Sequence, residues 1–274
     1  MRYQVGVTDF VHSRELTHLT QAEAGLAAAL ARPRWIAIAC IVVLSAFGWL
    51  ALGLMVAGSE GWAVLCRPAL AGGWSEYTLV LPMWAAMTLA MMLPTAGPMI
   101  LTYAEIADTA ARKREPVVSP LVLAAGYLAV WLGFALAAAL LQISFARAGL
   151  LDGGKLSVAF GGAIVLVAGL YQFSALKHAC LTLCQRPFPF FFANWTTERR
   201  GVLRLGLQQG LYCLGCCWAM MLVMFAAGTM NVLWMAALGV VMTIEKMTTT
   251  ARFSRIVGAG LVAGGVGRMV ASVL

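Results

Sequence analysis

The sequence predicts an all-α fold: a polytopic membrane helical bundle of about seven transmembrane helices, with its N-terminus in the cytoplasm. Three observations support this prediction: the composition, the length of the apolar runs and the distribution of the basic residues. Of the 274 residues, 62% are hydrophobic and only 11% are charged, whereas soluble domains average about 25% charged residues. The composition therefore predicts that the lipid bilayer is the main partner of this chain.

The apolar runs are long enough to cross a bilayer. A transmembrane helix needs about 20 apolar residues, and the runs of this kind cover residues 35–57, 79–103, 119–145, 157–176, 205–227, 229–245 and 254–274. They are too continuous for the alternating strands of about 10 residues that build membrane β-barrels. Because lipid cannot satisfy backbone amides, each run is predicted to be a helix.

Lysine and arginine are unevenly distributed between these runs. With the N-terminus inside, the inner segments hold 15 of the 19 basic residues, which is the bias of the positive-inside rule. Topology therefore accounts for the net charge of +8, and no nucleic-acid partner is predicted.

The chain divides into a polar arm, residues 1–34, and a helical transmembrane domain, residues 35–274. The arm has no apolar signal-peptide core. Thr20 and Glu23 have the spacing of a capping box, which predicts a short cytoplasmic surface helix that ends at Pro33. The inner segment 177–204 contains an aromatic run, and we expect it to lie at the headgroup boundary or to re-enter the membrane.

The second apolar run carries methionines at helical spacing. Met83, Met87 and Met91 are separated by four residues each, so an α-helix places the three thioethers on one face. Flexible core packing is one interpretation of this face, and metal binding is the other. Pro82 and Pro94 favour a broken helix that faces protein or a cavity.

The fifth run contains a denser group of sulfur atoms. Cys213, Cys217, Met220 and Met224 fall within roughly 40° of one another around an α-helix. Cys216 flanks this stripe. Close helix packing explains small cysteines equally well, so metal binding and packing both remain open at this stage.

A third group follows the fourth run, where His178, Cys180 and Cys184 combine imidazole and thiol ligands. It suits a soft or borderline metal ion, and an interfacial histidine beside two inert thiols is the alternative.

Glu245 and Lys246 end the sixth run. Charges near a membrane tend to pair or to serve a function, so Glu245 is expected to offset charge at the metal site or to pair with Lys177. Lys246 is expected to function there or to snorkel to the headgroups.

Together the three groups favour Cu(I), because thioethers bind copper in this state but contribute little to zinc or magnesium sites. No catalytic residue is predicted, and the protein is not expected to be an enzyme, since three histidines leave little material for general acid and base chemistry. The predicted metal ligands are Met83, Met87, Met91, His178, Cys180, Cys184, Cys213, Cys216, Cys217, Met220 and Met224.

Ordered motifs across residues 78–250 resemble a bacterial family of predicted metal-binding integral membrane proteins, some described as membrane copper chaperones that support the maturation of copper oxidases. The motifs run over residues 84–94, 171–184 and 215–246. The resemblance implies a multi-pass protein of the bacterial inner membrane with a copper-oxidase or membrane-complex partner. The residues that match the family pattern are Met87, Met91, Met92, Lys177, Cys180, Cys184, Cys216, Trp218, Met220, Met221, Met230, Glu245 and Lys246. For Cys213, Cys217 and His178, the prediction of metal binding rests on spacing alone.

The leading hypothesis is a copper-handling membrane protein, either a Cu(I) chaperone or a carrier. A structural or assembly subunit of a larger membrane complex, with sulfur atoms as core packing and no bound metal, is the first alternative. A membrane thiol oxidoreductase is the second, because a Cys-x-x-Cys pair can cycle as a disulfide. Cytoplasmic cysteines argue against it, since that compartment is reducing.

Overall fold

The computed structural model describes residues 33–57, 74–151, 154–227, 231–248 and 250–273. Within these ranges every regular element is helical, as predicted. The helices are α1 (Pro33–Ala57), α2 (Trp74–Met87), α3 (Gly97–Arg112), α4 (Pro120–Arg147), α5 (Lys155–Tyr171), α6 (Ala175–Gln185), α7 (Pro187–Ala193), α8 (Arg199–Ala227), α9 (Val232–Met247) and α10 (Ala251–Val273). The surface helix predicted for the N-terminal arm and the family-matched Met230 lie outside the described residues.

Among the described residues, four helices are long and apolar enough to cross a membrane: α1, α4, α8 and α10. The count rises to six if two bent helix pairs, one from α2 to α3 and one from α5 to α6, each form a single span. Large apolar side chains on the outside, such as Val43 (63% exposed) and Leu54 (64% exposed), suit lipid better than water. Helix α9 has 16 residues, slightly fewer than the roughly 17 that a transmembrane helix needs, so the count of seven spans stays a prediction. The cytoplasmic N-terminus also stays a prediction.

The predicted second span, 79–103, is interrupted. A π-helical turn, Thr88–Met92, and a single turn, Leu93–Thr95, separate α2 from α3, and the two arms are bent by 58°. Prolines at positions 94 and 98 explain the break, because each lacks an amide hydrogen and clashes with the preceding turn. The Met92 carbonyl accepts hydrogen bonds from Thr95 Oγ1 at 2.8 Å and Tyr127 OH at 3.0 Å. These side chains supply the hydrogen bonds that the Met92 carbonyl could not obtain from lipid.

The predicted fourth span, 157–176, also ends early. Helix α5 stops at Tyr171, and α6 leaves at 65° after Ser174, whose hydroxyl accepts from the Lys177 amide at 3.1 Å. Lys177 was expected in an inner loop, but its side chain is 0% exposed. The bend therefore turns α6 back against the protein, where it packs on α8.

Helix α8 lies at the centre of the described bundle, against α4, α5, α6 and α9. Glycines set its approach to α4: a Cβ added at Gly206 would collide with the Leu123 carbonyl oxygen, and one at Gly126 with the Leu203 carbonyl oxygen. Small residues of this kind let membrane helices come into backbone contact. The same device joins α5 to α10 through Gly162 and Gly265. The middle of α8, where the cysteines lie, is thus enclosed by neighbours.

Candidate metal centre

Three cysteines of α8 bring their sulfur atoms together in the core. The Sγ atoms of Cys213, Cys216 and Cys217 all lie within 4.8 Å of one another, and the side chains are 2%, 1% and 1% exposed. A metal–thiolate bond is about 2.3 Å for zinc, so two sulfurs on one ion are separated by at most about 4.6 Å. The group, which we call the three-cysteine group, is therefore compact enough to hold one ion with little adjustment.

Helix α6 supplies a fourth sulfur. Cys184 Sγ lies 4.0 Å from Cys216 Sγ, so two clusters that are separate in sequence meet in space. Cys180, one turn earlier, rests against α8, where a Cβ added at Gly215 would be 2.6 Å from its Sγ. The absence of a side chain at Gly215 thus makes room for α6 against the cysteine-bearing turn.

A lysine lies directly beside the three-cysteine group. Lys246 Nζ donates to Cys213 Sγ at 2.9 Å and to Thr95 Oγ1 at 2.6 Å. Of the two alternatives for Lys246, snorkelling to the headgroups is therefore wrong, because its ammonium group is turned toward the sulfur atoms. A metal held by two or three thiolates carries a net negative charge when the metal is monovalent, and a neighbouring ammonium offsets that charge in a medium of low dielectric constant.

Tyr127 of α4 completes the polar surroundings of Cys213. Its hydroxyl is 3.0 Å from Cys213 Sγ and donates to the Met92 carbonyl oxygen at the same distance of 3.0 Å. The side chain is 1% exposed. One hydroxyl therefore ties the broken helix before α3 to the sulfur of α8.

A buried ion pair fixes α6 to α9 next to this site. Lys177 Nζ contacts the two Glu245 carboxylate oxygens at 2.8 and 3.0 Å, and the side chains are 0% and 2% exposed. The predicted pairing of Glu245 with Lys177 is confirmed. Gln185 adds a second connection, because its amide donates to the backbone oxygens of Glu245 and Thr248, each at 2.8 Å. These contacts hold Cys184 and Lys246 beside the same sulfur atoms.

The methionines of the second run are buried on α2 and the π-helical turn, whereas the three-cysteine group lies on α8. Met83 and Met87 are 0% exposed and Met91 is 3% exposed. The π-helical turn after Met87 changes the helical register, so the single face expected for an uninterrupted α-helix is not kept. Met91 points toward α9, since a Cβ added at Gly239 would be 3.7 Å from its Cε.

The remaining predicted ligands fall into two classes. Met220 and Met224 are buried on α8, 1% and 0% exposed, and follow the three-cysteine group along the helix. His178 is partly exposed on α6, and the group of converging ligand atoms found among the described residues consists of cysteines without it. The structure thus brings together the cysteines, and it leaves the methionine and histidine ligands as predictions.

Sequence reasoning missed Tyr127, Thr95 and the direct contact of Lys246 with sulfur. Tyr127 and Thr95 lie 86 and 118 residues before Cys213, which leaves no local signal. For Lys246 a signal was present. A lysine at the end of an apolar run needs a partner for its charge, and the adjacent Glu245 was already a candidate partner of Lys177.

The comparisons with known proteins agree with a metal site. The family model described as "Copper chaperone", PpoB2, matches residues 81–267, more than half of the chain. No curated protein and no solved structure matches significantly. The matched range contains the three-cysteine group, Cys184, Lys246 and the buried ion pair. The chain belongs to the PpoB2 copper chaperone family.

Proposed function

We propose that this protein binds Cu(I) at the three-cysteine group and delivers it to a copper-dependent partner, as a membrane copper chaperone or carrier. The observation that supports this most is the convergence of three buried Sγ atoms within 4.8 Å, with an ammonium group 2.9 Å from one of them. Membership of the copper chaperone family supports copper as the metal.

The sulfur ligands support Cu(I) as the proposed oxidation state. Thiolate and thioether sulfur are soft donors, and soft donors select Cu(I). Zinc also accepts thiolates, but structural zinc sites usually have four ligands, with cysteine and histidine predominating. Here the three-cysteine group has Cys184 as a fourth sulfur 4.0 Å from Cys216 Sγ, and its nearest charged neighbour is a cation, Lys246. Thiolates around a monovalent metal leave an excess of negative charge, which the ammonium group of Lys246 offsets in part.

The setting fits delivery rather than catalysis. We propose that the chain carries no catalytic residue and works as a multi-pass protein of a bacterial inner membrane, with a copper oxidase or a membrane complex as recipient. Met83, Met87, Met91, Met220 and Met224 are proposed as weaker ligands along the way, and Cys180 and His178 as ligands nearer the surface. Thioethers hold copper less strongly than thiolates, so an ion can move along such a series.

Copper content of the purified protein tests the proposal. The full chain is loaded with Cu(I) under reducing conditions, passed through a desalting column and analysed for metal. We expect bound copper in the wild type and its loss in Cys213→Ser, Cys216→Ser and Cys217→Ser. Cys40→Ser is the matched control, because Cys40 lies on α1 away from this group.

Two results would contradict the proposal. Wild-type protein that retains no copper would favour a structural subunit with sulfur atoms as core packing. Copper that survives all three substitutions equally would place the metal elsewhere in the chain.

A further inference from the structure

A small cavity lies between the three-cysteine group and α6. Its volume is about 20 Å³, and a cavity needs about 10–15 Å³ to hold one water molecule. It therefore has room for one water or one monatomic ion. The residues that line it are Thr95, Ala96, Met99, Tyr127, Cys184, Gln209, Cys213 and Lys246.

Three sulfur side chains from three different helices face this cavity: Met99 of α3, Cys184 of α6 and Cys213 of α8. Met99 and Cys213 are 5% and 2% exposed, whereas Cys184 is partly exposed. Two thiols and one thioether form a soft donor set. The cavity thus joins the buried Cys213 to a sulfur nearer the surface.

Gln209 gives an independent indication that an electron-rich group belongs here. Its side chain is 2% exposed, and its Nε2 has no hydrogen-bond partner within the described part of the chain. A buried amide donor needs an acceptor. A thiolate bound to metal accepts N–H hydrogen bonds, and Lys246 already points at Cys213 from the same cavity.

We propose that Met99, Cys184 and Cys213 form a second Cu(I) position, through which copper enters and leaves the three-cysteine group. This inference rests on the proposed function. Cys213 belongs to both positions, so the Cu–S bond to Cys213 persists while the bonds to Cys216 and Cys217 are exchanged for bonds to Cys184 and Met99. The copper stays in the +1 state throughout. The proton that Cys184 loses passes to the Cys216 thiolate, whose Sγ is 4.0 Å from Cys184 Sγ, and the Cys217 thiolate takes a proton from solvent.

The test measures how fast copper leaves. Wild-type protein, Met99→Leu and Cys184→Ser are loaded with one equivalent of Cu(I) and mixed with excess of a Cu(I)-chelating dye. We expect both variants to bind copper at equilibrium but to release it about tenfold more slowly, a change equivalent to about 1.4 kcal/mol in the barrier. Met242→Leu is the matched control, because Met242 is 0% exposed on α9 and does not line this cavity.

The outcomes separate the two proposals. Unchanged release in both variants, with copper still bound through Cys216, would overturn the second position and leave a water molecule as the occupant of the cavity. Wild-type protein that binds no copper would overturn the proposed function and this inference together. A thermal unfolding curve for each variant distinguishes altered release from failure to fold.

Discussion

Two regions of this molecule are rich in buried sulfur, and they are built in different ways. The methionine region around α2 and the π-helical turn packs mainly on the neighbouring helices α1 and α4. The cysteine region on α8 is surrounded by polar groups from distant parts of the chain, namely Thr95, Tyr127, Cys184 and Lys246. Burial is similar in both, since Met87 is 0% and Cys216 is 1% exposed.

The difference shows that burial and spacing do not by themselves identify a metal site. Both regions have sulfur at helical spacing, but only in the cysteine region does the described structure place an ammonium group and a tyrosine hydroxyl against the sulfur atoms. Polar groups in a membrane core are costly, so their convergence indicates a charge that they serve. If the comparison is right, long-range polar contacts should matter for the cysteine region and packing should matter for the methionine region.

The largest expected effect comes from breaking the ion pair that positions the cysteine region. Lys177→Met or Glu245→Leu alone leaves an uncompensated buried charge, and we expect a loss of about 3–5 kcal/mol in the free energy of unfolding. The double variant should recover most of that loss. Chemical or thermal unfolding of the purified protein in detergent measures both. Equal stability of the single and double variants would show that the charges do not interact.

A smaller loss of stability is expected from a substitution in the contact between α4 and α8. This contact places Tyr127 of α4 against Cys213 of α8. A methyl group at Gly206 collides with the Leu123 carbonyl oxygen, so Gly206→Ala should destabilise the protein by about 1–3 kcal/mol, the usual cost of overpacking. Gly133→Ala on α4, the partner helix in this contact, is the control, because nothing lies within 4 Å of a Cβ there. A melting temperature that falls equally in both variants would contradict the close approach.

Lys246→Met tests whether the cation serves the sulfur atoms. Removing the ammonium group leaves the negative charge of a copper–thiolate complex without its partner, and we expect Cu(I) affinity to fall about tenfold, or about 1.4 kcal/mol. Competition against a Cu(I)-chelating dye gives the affinity. Lys113→Met is the control, because Lys113 is exposed directly after the end of α3. This substitution should leave the Cu(I) affinity unchanged. An affinity unaffected by Lys246→Met would remove the electrostatic part of the account.

The smallest effect is expected in the methionine region. Leucine is close in volume to methionine, so Met83→Leu, Met87→Leu and Met91→Leu should each cost less than about 1.5 kcal/mol of stability. Copper in the three-cysteine group should remain bound, and any loss should be confined to weaker equivalents. Titration with Cu(I) beyond one equivalent measures this. Complete loss of copper in a single Met→Leu variant would reverse the comparison between the two regions.

Much of the fold could be predicted because a transmembrane helix requires a continuous run of about 20 apolar residues, which is visible in the sequence. The runs at 119–145 and 205–227 correspond to α4 and α8. The bends could be predicted only in part. Prolines marked the break between α2 and α3, but the turn before α6 lacks a proline and depends on Ser174 and on the pairing of Lys177 with Glu245.

The candidate site could be predicted to the extent that its ligands share one helix. Cys213, Cys216 and Cys217 lie within one turn or so of α8, so their grouping follows from helical geometry. Gln209 shares this helical geometry, since it lies one turn before Cys213 on α8, whereas Met99 carries no comparable pattern, because its place in the same cavity is set by how separate helices assemble. Long-range packing of this kind is not encoded in local spacing.

X-ray absorption at the copper edge of the loaded full chain, for the wild type and for Cys213→Ser, shows directly whether sulfur binds copper in this protein. We expect copper in the +1 state with sulfur ligands in the wild type, and a loss of copper or of sulfur ligands in the variant. Nitrogen and oxygen ligands in the wild type, or identical sulfur ligation in both proteins, would contradict this expectation.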